Sequence, residues 1–376
     1  MRQKKRVLLL FGGRSGEHEV SINSAASVMA ALDREKYDVI PVAITRDGKW
    51  LAGVTPAWIM SGGSPTSAAD AGEDAKHVFL PADPNFRGLK VLGERSADGE
   101  NMVDVVIPVL HGTYGEDGTV QGLLELANVP YVGAGVLGAA LGMDKVMMKT
   151  VLAQQGLPQA GFWWCLRKDW EKDPETLTED LEQKLGYPCF IKPANLGSSV
   201  GISKARNRDE LVRGMDLAAS YDRKIIVEEF IDAREVEVSV LGNDDPAASL
   251  PGEIVSHNEF YDYQSKYVDG LSHLIIPADL PADTVERLRD LAVKVFRGLE
   301  CAGLARVDFF IRKNNGEVLV NEINTFPGFT RFSMYPKLWE ATGIGYRELL
   351  DRLIDLAFER HRDKNRSQTD FKPPGR

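Results

Sequence analysis

The chain has 376 residues, 43% of them hydrophobic and 27% charged, with a formal net charge of −10. That length predicts two or three domains of ordinary globular composition, and the acidic balance argues against a nucleic-acid scaffold while leaving room for local phosphate-binding patches. Cys165, Cys189 and Cys301 are widely separated and form no CxxC pair, which excludes a disulfide framework or a cysteine zinc site and points to a reducing compartment.

The opening MRQKKRVLLLFGG carries an apolar run only over residues 7–11, too short for a secretory signal. No stretch approaches the roughly 18 apolar residues of a membrane span, so a cytoplasmic location is expected. Residues 7–11 read as a strand buried on both faces. Gly12-Gly13-Arg14-Ser15-Gly16 follows, then Glu17-His18-Glu19-Val20-Ser21, a helix to about Leu32 and a second apolar strand at 39–44. Strand, glycine-rich turn, helix and strand open a doubly wound α/β domain, whose ligands gather at the carboxyl ends of its strands. Residues 53–101 are rich in Gly, Ser, Ala, Pro and Asp, with strand-like pieces at 77–80 and 89–92, and read as a surface elaboration. A buried strand at 103–110 runs into HGTYGEDG, which sets His111 where such folds put function, although a lone histidine is as readily structural. GAGVLG at 133–138 matches a dinucleotide fingerprint but lacks the acidic residue about 20 positions on. It reads instead as close packing of a helix on the sheet.

A new α/β unit begins with a helix over 144–155 that carries Lys145 in its first turn. Strand 161–166, helix 173–185 and the strand containing Lys192 lead into ANLGSSVGI, a loop whose N–H groups and hydroxyls can cover a triphosphate. Lys192 directs charge at the same phosphates. KIIVEEF at 224–230 is a strand ending in Glu228, Glu229 and Phe230, and a further strand spans 235–241. Extended backbone with an apolar lining suits an adenine ring. The long polar and aromatic loop at 256–277 predicts a lid. Val285, Leu288, Leu291, Ala292, Val295, Phe296 and Leu299 recur at helical spacing. Helices at 336–342 and 346–359 follow, and the chain from 361 reads as a frayed tail.

Residues 303–329 read as a β-hairpin around Asn-Asn-Gly, with Arg306, Asp308, Glu322 and Asn324 embedded in core-like sequence. Oxygen donors of this kind suit Mg²⁺ better than Zn²⁺. A two-residue Asn315-Gly316 turn sets Asp308 opposite Ile323, whereas a three-residue loop of Asn314-Asn315-Gly316 sets it opposite Glu322. Metal chemistry requires the longer loop. The alternative is a solvated hairpin with charges on its outer face. Lys145, Lys192, the glycine-serine loop and the tyrosine-rich lid all call for a magnesium nucleotide, and only this hairpin offers ligands for it.

FGGRSGEHEVS, HGTYGEDG, KPANLGSSVGI, YDYQSKY and RVDFF…NEINTFPGFT, in that order over residues 7 to about 350, together resemble the D-alanine–D-alanine ligase family of the ATP-grasp superfamily. The resemblance implies a Rossmann-like domain at 1–143 with 53–101 as its insertion, then a two-lobed ATP-grasp fold. Its central lobe would span 144–227, its C-terminal lobe 228–360, and its tail 361–376. It implies ATP-dependent joining of two D-alanines through an acyl phosphate, for peptidoglycan precursor synthesis. ATP and two Mg²⁺ (or Mn²⁺) would serve as cofactors, with no nucleic-acid or membrane partner, in a homodimer.

By motif match, Glu19 would bind the first D-alanine's ammonium and His111 would lie near its carboxylate. Lys145, Lys192, Ser198 and Ser199 would hold the ATP phosphates. Glu228, Glu229, Phe230 and Ile231 would line the nucleotide seat, with Glu235 on the ribose. Asp308, Glu322 and Asn324 would hold metal. Arg306 and the N–H of Gly328 would stabilise the oxyanion, Lys266 would reach the transferred phosphate, and Ser333 the second carboxylate. Glu19, Ser198 and Tyr267 would lock the lid. Tyr267 after Lys266 resembles the dipeptide-forming members rather than those that make D-alanyl-D-lactate. Another ATP-grasp carboxylate–amine ligase would not need HEVS or SKY. An inactive nucleotide sensor would show a gap among the metal ligands or at Arg306, and there is none. No histidine is evidently placed as base for the attacking amine.

Overall fold

A computed structural model describes residues 4–60, 75–94, 102–198, 200–256 and 272–368. In the first sheet β1 (Lys5–Gly12) and β2 (Tyr37–Ile44) run parallel. Beyond β2 the sheet continues antiparallel through β3 (Trp50–Ala52), β4 (Lys76–Phe79) and β5 (Lys90–Val91), while β6 (Val105–Val109) lies parallel to β1 on its other side. Parallel pairing between strands is thus confined to β2, β1 and β6 at one end of the sheet, and part of the expected surface elaboration is sheet. Val7 to Phe11 are fully buried, as a run without polar alternation requires. Each such side chain contributes roughly 1.5–3 kcal/mol by leaving water.

The second sheet is antiparallel, in the order β7 (Phe162–Leu166), β10 (Lys224–Glu229), β8 (Cys189–Pro193), β9 (Ser203–Ala205). Helices Pro174–Lys184 and Arg208–Tyr221 cover it, closing a separate core around Trp163, Leu181, Ile191, Leu211 and Met215. Both helices start on a side-chain cap: Asp173 accepts from the N–H of Thr176, and Asn207 from that of Glu210.

The third sheet contains β11 (Ala233–Gly242), β12 (Ala247–Ala248), β13 (Gly252–Ser256), β14 (Ser272–Ile275), β15 (Gly303–Arg312) and β16 (Val318–Asn324). Helix Ala282–Gly298 buries Leu288, Leu291, Ala292, Val295 and Phe296 against it, the apolar stripe that the spacing predicts. A further core joins the first sheet to the C-terminal region, with Val7 and Phe11 in one cluster with Phe326, Phe329, Tyr335, Trp339 and Leu353. Phe329 stacks at 5.6 Å from Tyr335 and 5.7 Å from Tyr346, so the loop after β16 is held at the seam between domains.

The last helix spans Tyr346–Lys364, beyond the expected start of a frayed tail at 361. The imidazole of His361 lies 3.0 Å from the carbonyl of Asn128, and the Arg360 guanidinium stacks 4.1 Å from the Tyr131 ring centre. Those contacts, with basic groups at the negative end of the helix dipole, continue the helix.

Candidate active site between two clefts

The hairpin of β15 and β16 pairs Ile311 with Val318 and Phe309 with Val320, which by itself would bring Asp308 opposite Asn321. Its loop is Lys313–Gly316, four residues rather than the expected three, closed by bonds from Arg312 N–H to Glu317 O and from Gly316 N–H to Arg312 O, both 2.9 Å. A register shift between Asp308 and Phe309 leaves Asn321 as the extra residue and sets Asp308 opposite Glu322 and Arg306 opposite Asn324. The expected pairing is therefore present, but a bulge produces it, not the loop length. Such a bulge leaves no mark in the turn residues from which register is read.

Arg306, Asp308, Glu322 and Asn324 share one face, and β11 adds Glu237, which pairs with Asp308 in the ladder. The Arg306 guanidinium meets Asp308 through Nε–Oδ1 and Nη2–Oδ2, both 2.7 Å, and Glu237 Oε2 at 3.0 Å. Burial opposes the charge of Arg306, but Asp308 and Glu237 outweigh it and hold its pKa well above the ordinary value. Asn324 Nδ2 donates to Asp308 Oδ2 at 3.0 Å. The donor set is all oxygen, with two carboxylates and one amide on adjacent strands. Among the described residues no group of three or more His, Cys, Asp or Glu stands ready for a metal. A set this sparse fits a hard cation that completes its shell from a bound phosphate, as Mg²⁺ does.

Two cavities meet at this face. The larger, about 650 Å³, lies between the second and third sheets and is lined by Lys192, Glu228, Glu229, Phe230, Ile231 and Glu235. The smaller, about 350 Å³, is lined by Glu17, His111, Glu116, Arg306, Gly328 and Ser333. Lys145, Gly197, Ser198 and Glu322 line both. In the larger cleft Glu228 is 4% exposed and bridges Lys192 Nζ at 2.5 Å and Lys149 Nζ at 2.9 Å. Burial disfavours its charge, but the two ammoniums prevail and hold its carboxyl at about 2. Burial likewise opposes the charge of Lys192, whose pKa is nevertheless raised by Glu228. Glu229 accepts from Gly161 N–H at 2.9 Å and from Arg312 Nη2 at 3.1 Å. Lys145 Nζ donates to Leu196 O at 2.8 Å and lies 3.7 Å from Glu322. Asp144 caps its helix by accepting from the N–H groups of Val146 and Met147.

The expected role of Glu19 does not fit its position. Its side chain is 63% exposed, paired with Arg46 at 3.0 Å, and lines neither cavity. Glu17 points into the smaller cleft instead and accepts a hydrogen bond from the Ser198 hydroxyl. The helix starts at His18, so Glu17 occupies the cap position while Glu19 falls on the outward side of the first turn. SGEHEVS offers both glutamates, and only the helix start decides between them. The Glu17 carboxylate fits closely between two loops: a Cβ on Gly112 would come 2.6 Å from Oε2, and one on Gly197 2.7 Å. Ser198 itself has φ +51, a left-handed conformation that costs a non-glycine residue about 1 kcal/mol or more.

His111, 3% exposed, lies within 3.0 Å of both the Ser24 hydroxyl and the Phe326 carbonyl and ties β6 to the loop after β16. Burial lowers its pKa, against the nearby Glu17. Glu116 accepts from Gly112 N–H at 2.8 Å and Phe326 N–H at 2.9 Å. Burial, and then the Glu17 carboxylate, push Glu116 up to about 8 against those two donors. Ser333 accepts from Thr330 N–H at 3.1 Å beside Gly328. Glu17, Glu116, Lys149 and Glu237 are the members that reading the chain overlooked. The repeat of Lys145 four residues on, and of Glu235 two residues on, were the available signals for Lys149 and Glu237. Lys266, Tyr267, Ser199 and most of the expected lid lie outside the described residues.

A family model for the "D-ala D-ala ligase N-terminus" matches residues 6–134, and one for the "D-ala D-ala ligase C-terminus" matches 151–355. The chain is 50% identical to the D-alanine–D-alanine ligase of Natranaerobius thermophilus over 369 residues, covering 98% of this chain and 99% of that one. It is 51% identical to that of Heliobacterium modesticaldum over 371 residues, with the same two shares. Among solved structures, the D-alanine-D-alanine ligase of Coxiella burnetii aligns with a TM-score of 0.83 at 36% identity, covering 96% of both chains. The VanG D-Ala:D-Ser ligase of Enterococcus faecalis aligns with the same score and identity, over 94% of this chain and all of that one. The chain belongs to the D-alanine–D-alanine ligase family, with the ATP-grasp fold of its members.

Proposed function

We infer that this protein is an ATP-dependent ligase that joins two D-alanines into D-alanyl-D-alanine for peptidoglycan precursor synthesis. The observation that carries the reading is the pair of adjoining clefts, one of nucleotide size and one of amino-acid size, sharing Lys145, Ser198 and Glu322. ATP occupies the larger cleft, its base among Phe230, Ile231 and Glu228, its ribose near Glu235, and its phosphates toward Lys145, Lys192 and the Ser198 loop. In the smaller cleft Glu17 takes the ammonium of the first D-alanine, His111 lies by its carboxylate, and Ser333 takes the carboxylate of the second.

A carboxylate oxygen of the first D-alanine attacks the γ-phosphorus and ADP leaves, giving an acyl phosphate. The second D-alanine, its ammonium having lost one proton to solvent, attacks the acyl carbon through its amine, the tetrahedral oxyanion faces Arg306 and the N–H of Gly328, and phosphate departs as the amide nitrogen loses its second proton. Transfer between two anions needs cations, which Lys145, Lys192 and Arg306 supply. Mg²⁺ held by Asp308, Glu322 and Asn324 would add charge neutralisation along the phosphates. Two copies of the chain form a homodimer, a further part of this reading.

The likeness to a D-Ala:D-Ser ligase makes D-serine the competitor to test as second substrate, with D-lactate beside it. Phosphate release is measured with ATP, Mg²⁺ and D-alanine, against L-alanine alone and D-alanine with D-serine or D-lactate. D-alanine alone should give full turnover and D-alanyl-D-alanine as product. Equal release with L-alanine, or none with D-alanine, overturns the reading.

A further inference from the structure

Lys149 is the most deeply buried lysine of the described residues, 1% exposed, and it lines neither cleft. It stands one helical turn after Lys145 on helix Lys145–Gln154, and its Nζ lies 2.9 Å from Glu228 Oε1. The other oxygen of the same carboxylate lies 2.5 Å from Lys192 Nζ. Two ammoniums thus share one carboxylate, and these three buried groups sum to one plus, with Glu322 and Glu235 acting on Lys192 from the cleft. Without Lys149 the remaining pair would be neutral, and the charge of Lys192 would be spent on Glu228.

We propose that Lys149 is a positioning residue for ATP, one that neutralises Glu228 so that Lys192 keeps its charge for the nucleotide's phosphates. An ion pair alone does not imply this, since a buried pair is often no more than a structural contact. The distinguishing feature is the odd count: a pair satisfies its own charge, whereas this triad leaves one positive charge over, beside the cleft. Lys149 acts through Glu228 and touches no nucleotide itself. The inference rests on the larger cleft being the ATP site.

Net charge at the triad makes the test. With Glu322 and Glu235 still favouring the charged form of Lys192 when Glu228 is lost, it is +1 in the wild type, 0 in Lys149→Met, +2 in Glu228→Gln and +1 again in the double variant. Binding of inorganic tripolyphosphate, which has no base to contact Glu228, is measured by calorimetry on the full chain with Mg²⁺, beside steady-state KM values. Lys149→Met should weaken tripolyphosphate about tenfold, the scale of one unit charge acting from roughly 12 Å through an effective dielectric near 20. It should raise the KM for ATP by a similar factor, with the KM for D-alanine within twofold. Adding Glu228→Gln to Lys149→Met should restore tripolyphosphate binding, although Glu228 is lost.

A merely structural lysine predicts a lower melting temperature with no KM split and no restoration, and that result overturns the proposal. Should Lys149→Met fail to fold, Glu228→Gln must still bind tripolyphosphate about tenfold tighter than the wild type, and equal binding overturns it. A wild type that binds neither tripolyphosphate nor ADP would instead overturn the nucleotide reading itself.

Discussion

The two clefts are built differently. The larger takes its charged groups from neighbouring strands: in one antiparallel ladder Lys192 on β8 lies opposite Ile226 and Glu228 on β10 opposite Phe190, so strand alternation sets the two charged side chains diagonally on one face. The smaller takes its groups from segments far apart in the chain, around Glu17, His111, Ser198 and Gly328, which meet only because two domains share a core. A strand fixes its neighbours' direction over several residues, whereas a loop fixes almost nothing beyond itself. The hairpin belongs to both regimes, a regular ladder interrupted by one bulge.

The largest effect is expected where the regimes meet. Asp308→Asn should lower kcat by about a thousandfold, because it removes one of two carboxylates available to a phosphate-bound cation. Its melting midpoint should move by no more than about 5 °C, since Glu237 still faces Arg306. Near-normal turnover in this variant would remove the hairpin from the chemistry.

A medium effect follows from the loop-built cleft alone. Glu116 has its carboxyl pushed up to about 8, above its ordinary 4.5, by burial and then by Glu17. A carboxyl raised in this way binds its proton more tightly in the folded state. The stability it contributes is full below pH 4.5 and lost as pH rises through about 8. Calorimetric melting temperatures should therefore fall by a few degrees between pH 6 and pH 9. Glu17→Gln, which removes the like charge, should make that fall shallower. An unchanged slope in Glu17→Gln would mean that the two carboxylates do not interact.

The same contrast explains what could be read from the chain. Strand identities, the helix starts near 144 and 173, the amphipathic helix near 288–296 and the cations Lys145 and Lys192 follow from periodicity and local chemistry. The pairing of Asp308 with Glu322 was reached for the wrong reason, because loop length and bulge each shift register by one and the two shifts cannot be separated from residues alone. The motif match falls on Glu19 and passes over Glu17 because a motif does not state where its helix begins. Glu116 escaped because its role depends on Phe326, 210 residues away. Lys149 escaped because a second lysine one turn along reads as a solvated surface repeat, until β10 brings Glu228 to it.

The central claim is that the smaller cleft holds the amino acids and that Glu17 receives the first ammonium. The kinetic comparison of Glu17→Gln with Glu19→Gln tests it most directly. For Glu17→Gln the KM for D-alanine should rise by at least about tenfold, the cost of losing a charge-assisted bond to an ammonium, with the KM for ATP within about twofold. Glu19→Gln, which loses only an exposed pair with Arg46, should leave both constants within about twofold. A large loss of D-alanine affinity in Glu19→Gln, with Glu17→Gln unaffected, would contradict the account.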